Sequence, residues 1–159
     1  MATPSPYRSL PSERRVALVT HAVKSSREAR ALYVQRLSAK SGFRPVTLQT
    51  WPVDRLAKEI VRVKAETASD ELDLLHLLYV ELEPAIQITF LDAAGVAHEG
   101  GSMAEDLEMP YANAESVRRA AIAAKEQHGD DGMRYLRTLA RYSPDGWPGI
   151  DGVVAELGG

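Results

Sequence analysis

The apolar residues of DELDLLHLLYVELEP form a helical stripe: Leu72, Leu75, Leu78, Tyr79 and Leu82 recur at spacings of three and four, with Leu74, Leu77 and Val80 widening it. A helix apolar over so much of its circumference belongs in a core. Ser69 as N-cap, Asp70 and Glu71 in the first turn, and Pro84 as a stop mark its bounds. From Ala85 to Asp92 the period changes to two, with Ile86, Ile88 and Phe90 on one face and Gln87 and Thr89 on the other, as in a half-buried strand. Asp92, Ala93, Ala94 and Gly95 then read as a type I turn closed by glycine, and Val96 to Glu99 as the returning arm of a β-hairpin. An isolated hairpin is marginal in water, so the rest of the chain or a second copy must cover it.

Upstream, Pro4, Pro6 and Pro11 mark residues 1–11 as a flexible tail. Helical periodicity starts at Ser12 and carries Val16, Val19 and Val23, but VALVTHAV also fits a buried strand, since so short a run does not separate the two. A second helix begins near Ser26, where Ser25 and Glu28 form a capping-box pattern, and runs through Ala29, Leu32, Tyr33 and Leu37. It stops at Gly42, with Phe43 placed for the hydrophobic contact of a glycine C-cap. Phe43 to Thr50 alternates as a short edge strand, and Pro52 opens a helix through Val53, Leu56, Ile60 and Val63.

Past the hairpin, Gly100 to Asn113 reads as a long loop and Ala114 to His128 as a helix ended by Gly129. Asp130 caps a last helix that Pro144 stops, and residues 149–159 read as a loose tail. The sequence therefore predicts one globular domain over residues 12–148 in an α+β fold, mainly helical with about six helices and one central β-hairpin. If residues 16–23 form a strand, a β-α-β unit arises and the fold becomes α/β.

Composition narrows the chemistry. The chain has 159 residues and no cysteine, which excludes disulfides and thiolate catalysis and leaves only histidines and carboxylates for a metal. No apolar signal-like region opens the sequence and no run approaches the length of a membrane span, so a cytoplasmic protein without membrane attachment is expected.

Charge is the most informative feature. The net charge of −3 conceals segments of +9 over residues 1–65, −11 over 66–111 and −1 over 112–159. Such blocks fit basic N-terminal helices packed beside the acidic centre within the chain, where surface pairs add little stability, and they also suit a charged face that meets a partner, with Arg27, Arg30, Arg55 and Arg62 on the basic side and Glu81 and Glu83 on the acidic side. The best-supported expectation is a non-catalytic interaction or regulatory domain that self-associates, most simply as a homodimer, through complementary faces, with no cofactor.

Two other function classes have weaker support. The order helix, helix, hairpin from Trp51 to Gly101 imitates a winged helix, but the helix in the recognition position carries Asp70, Glu71, Asp73, Glu81 and Glu83 and no cation to meet phosphate. Nucleic acid would instead have to meet the basic N-terminal helices, which lack the basic-aromatic interleaving of single-strand binders. A metal-dependent hydrolase would draw on Asp73 and His76, three apart on one helix, or on His98 beside Glu99, Glu105 and Asp106. The second acid-x-x-His pair of a helix-borne metal site is missing. His21 near Ser25 fits no nucleophile elbow, and His128 suits the end of a helix.

Overall fold

The computed structural model describes residues 4–158, so residues 1–3 and 159, the outermost parts of the two expected tails, lie outside the described residues. The described chain is all-α, with eight α-helices and no β-strand. They are α1 (Ser12–Ser25), α2 (Arg27–Ser41), α3 (Pro45–Leu48), α4 (Val53–Arg62), α5 (Ala68–His76), α6 (Ala85–Ala94), α7 (Ala114–Tyr142) and α8 (Ile150–Gly158). Two compact units divide the chain between Leu77 and Leu78.

The predicted α+β class and its central β-hairpin are overturned: Ala85 to Ala94 is helix α6. The reason lies in positions that serve both periods. Ile86, Phe90 and Ala94 share a face whether the chain is a strand or a helix, but Leu91 joins them only in a helix, and a strand would place Ile88 with them. Those four are buried, whereas Ile88 is only partly so. Gly95, at φ 74°, closes α6 as a left-handed C-cap instead of turning a hairpin. The tight turn lies further on: Gly100 and Gly101, at φ 58° and 96°, supply the two positive values of a type I′ turn and join Glu99 to Ser102 in an isolated β-bridge. Without a wing, the winged-helix order also disappears.

The α/β alternative is overturned as well. Residues 16–23 lie within α1, with Leu18, Val19 and Val23 buried. The expected edge strand after Phe43 is instead the single turn α3, because Pro45 occupies N1, where its fixed φ and missing N–H suit a helix start.

In the first unit α1 packs chiefly on α4 and also on α2, burying Leu56, Ala57 and Ile60. Residues expected as a tail contribute to this core: turns over residues 5–10 leave Tyr7 0% and Leu10 2% exposed. A polar clasp holds them. The Tyr7 hydroxyl and the Arg8 guanidinium both donate to the buried Glu66 carboxylate, and Arg8 also donates to the Glu66 carbonyl at 3.0 Å. Ser5 donates to Glu71. Thr67, not Ser69, caps α5 in a capping box with Asp70, whose carboxylate also pairs with Arg36.

Past His76 the chain continues as a π-helical stretch, Leu77–Leu82. In the second unit α6 and α8 both pack on α7. Phe90, Tyr135 and Trp147 form its aromatic centre, with ring centroids 5.6 Å apart for Phe90 and Tyr135 and 4.9 Å for Phe90 and Trp147. Gly129 breaks α7 at φ 57° and ψ −129°. The segment expected as a C-terminal tail includes α8, which buries Ile150 and Val153 and is joined to α7 by the bidentate pair Arg118–Glu156 at 2.6 and 2.7 Å.

No single helix among the described residues is long and apolar enough to cross a membrane. Ala68–Leu82 and Ala85–Ala94 reach that composition only jointly, and their Leu74, Leu75, Phe90 and Leu91 are buried in the protein.

Burial raises the pKa of Tyr7, Tyr33 and Tyr135 above the ordinary tyrosine value, reinforced at Tyr7 by the hydrogen bond to Glu66 and at Tyr33 by the charge of Asp70. The folded state therefore holds these protons more tightly than the unfolded chain does. Their contribution to stability is full below pH ~10 and declines as the pH rises past that value. In an alkaline titration these three phenols should ionise only as helical circular dichroism is lost. Tyrosinate absorbance from all six tyrosines with the helices intact would contradict the burial.

Candidate interaction surface

The first unit carries a basic shelf with an aromatic centre. Phe43, just past the left-handed C-cap Gly42 of α2, meets Trp51 edge to face with centroids 5.2 Å apart. Arg55, in the first turns of α4, lays its guanidinium 3.8 Å from the Trp51 ring centre. From α2, Arg30 donates to the Trp51 carbonyl at 3.2 Å and to the Gln49 carbonyl at 3.1 Å. Trp51 is buried, with Arg55 over its ring and Arg30 on its carbonyl, while Phe43 stays 44% and Val46 71% exposed. These two are exposed apolar side chains of one short segment, an apolar projection with Arg44 between them in sequence.

Four of the unit's acids are committed to other groups, while Glu13, Glu28, Asp54 and Asp73 stay exposed and form no ion pair among the described residues. Glu66 serves Tyr7 and Arg8, Asp70 serves Arg36, and Glu71 serves Ser5 and Arg8. Glu59 pairs with Arg62 on α4, and that guanidinium holds the Glu59 carboxyl below its usual range. Of the predicted basic contacts, Arg30 and Arg55 are therefore brought together at Trp51, and Arg62 is neutralised by its neighbour. Arg27 lies exposed one turn before Arg30. Arg27, Lys40, Arg44 and Lys58 are all exposed and have no ion pair among the described residues.

The second unit bears the opposite sign. Glu81 and Glu83 are exposed at the end of the π-helical stretch, and each has an interaction within the chain. Beyond α6, Glu99, Glu105, Asp106 and Glu108 are exposed and form no ion pair among the described residues. A shallow groove of about 570 Å³ lies along this loop, with Ala97, Met103 and Ala104 in its lining and Glu99 and Glu105 beside them.

His98 also borders the groove, but it braces the loop. Its Nδ1 accepts the Gly101 N–H at 3.0 Å, which leaves the proton on Nε2, 2.6 Å from Asp92 Oδ1. With both ring nitrogens engaged, His98 has no lone pair for a metal or a substrate proton until the Gly101 bond opens. Asp106, its predicted companion, forms no hydrogen bond with it.

The remaining candidates stay apart. Asp73 and His76 are both exposed on α5, and no group of three or more metal-ligating side chains occurs among the described residues. The Ser25 hydroxyl donates to the His21 carbonyl and not to its ring, and His128 Nε2 lies 2.9 Å from Thr89 Oγ1.

Sequence reasoning missed the shelf because Phe43 has the expected placement of a C-cap contact. The available signal was an aromatic and a valine flanking Arg44 in a segment whose cations outnumber its acids. Comparison with protein families, with curated proteins and with solved structures finds no match for this chain.

Proposed function

We propose that the chain acts by binding, as a self-associating interaction domain whose basic face meets the acidic face of a second copy. One observation carries this reading: Arg27, Lys40, Arg44 and Lys58 are exposed without ion pairs in a unit whose cations outnumber its acids, and four of those acids, Glu59, Glu66, Asp70 and Glu71, are committed to other groups. The two units hold net charges of opposite sign, +5 over residues 1–77 and −8 over 78–159. Exposed cations facing exposed carboxylates across an interface speed encounter and set register more than they add affinity, so the association should be weak and salt-dependent.

The hairpin no longer supports self-association, because no unpaired sheet edge exists among the described residues. What remains is charge complementarity. Reversing two unpaired cations, Arg44→Glu with Lys58→Glu, should weaken association at low salt by about tenfold or more, read by sedimentation velocity over a concentration series. Reversing Arg62 instead should do less, since Glu59 already satisfies it. Equal effects from the two changes would remove the paired-versus-unpaired distinction on which the proposal rests.

A further inference from the structure

We infer that the Phe43–Val46 projection of one copy seats in the groove of about 570 Å³ beside Ala97, Met103 and Ala104 of a second copy. This inference rests on the self-association proposed above and names the surfaces that meet. Apolar character and charge agree on both sides. The donor side is an apolar knob, Val46 at 71% and Phe43 at 44% exposure, with Arg44 between them and Arg55 at their back on Trp51. The acceptor side offers an apolar lining with Glu99 and Glu105 at its margin and Asp106 and Glu108 further along the loop, all exposed and without ion pairs among the described residues.

The type I′ turn at Gly100 and Gly101 and the double hydrogen bond of His98 hold the near wall of the groove in shape. A seated projection would remove exposed apolar surface and bring Arg44 to the acidic margin in one step. Each copy carries both a knob and a groove, so the contact needs nothing but a second copy of the chain. The shelf is a poorer fit for a polynucleotide. Trp51, its largest ring, has one face already taken by Arg55 and is too buried to stack on bases.

The test uses the full chain and substitutions at exposed positions. Val46→Ser and Ala104→Trp leave the net charge unchanged, one trimming the knob and the other filling the groove. Each should weaken self-association about tenfold, the loss expected when one aliphatic side chain is no longer buried, while leaving the salt dependence as it was. Arg44→Glu and Glu105→Arg should each weaken self-association alone and pair with one another when the two variants are mixed.

Unchanged affinity in Val46→Ser and Ala104→Trp, with salt-dependent association intact, would overturn this inference while leaving the charge-based proposal standing. Wild-type chain that stays monomeric at low salt would overturn both. A single-stranded oligonucleotide that binds wild type and is lost with Val46→Ser, while the mixed charge-swap variants fail to pair, would overturn it in favour of a polyanion on the shelf.

Discussion

Gly132→Ala should destabilise the second unit by about 3 kcal/mol, the upper end of overpacking costs. Beyond the break at Gly129, the restarted helix lies so close to the first half of α7 that a Cβ on Gly132 would stand 2.2 Å from the Ala124 carbonyl oxygen and 2.8 Å from its carbon. Neither atom belongs to a flexible side chain, so the two halves of α7 must part. Val117, Ala120, Ala121 and Ala124 are buried on the first half and Met133, Tyr135 and Leu136 on the second, so parting them loosens the centre of the unit. Gly152→Ala on α8 is the control: nothing lies within 4 Å of its added Cβ, and alanine favours a helix over glycine by about 0.5–1 kcal/mol. Urea unfolding followed by circular dichroism compares them. A Gly132→Ala midpoint equal to that of Gly152→Ala would show that the halves of α7 do not touch.

The second large effect is expected at Tyr7. Tyr7→Ala should cost about 3–5 kcal/mol, the range for deleting a fully buried ring. Its side chain is 0% exposed, and its hydroxyl donates to Glu66, whose side chain is also 0% exposed. The substitution thus opens a cavity and takes a donor from a buried carboxylate. Tyr7→Phe separates the two, keeping the ring and leaving the carboxylate one donor short, for about 1–3 kcal/mol. Arg8 still contacts Glu66, which keeps the smaller cost from growing. If Tyr7→Ala unfolds at the wild-type urea concentration, residues 5–10 do not belong to the core.

Some element ends were legible from backbone chemistry: Gly42 and Gly129 adopt positive φ at a helix end and a helix break, and Pro52 sits at a helix start, whereas Gly95 and Pro45 read as a hairpin turn and an edge strand and Thr67, not Ser69, caps α5. What misled was the type of element between those ends. Ile86 and Phe90 fit a strand and a helix equally, and the β-branched residues Ile88 and Thr89 favoured the strand. Only tertiary burial of Leu91, with Ile88 left partly exposed, decides for the helix, and that information is not local. Tyr7 was hidden by the prolines around it, since a proline-rich segment reads as a tail unless its burial is known. The candidate surface was half legible. The charge blocks are plain in the sequence, but which arginines are free depends on ion pairs formed across the fold, such as Arg36–Asp70, 34 residues apart.

The most direct test of the central claim is the light-scattering mass of the wild-type chain at low and at high salt over a range of concentrations. Self-association through complementary faces predicts a mass approaching twice 17.4 kDa at low salt and high concentration, falling toward the single-chain value as salt is raised. A mass of 17.4 kDa at every concentration in low salt would contradict it.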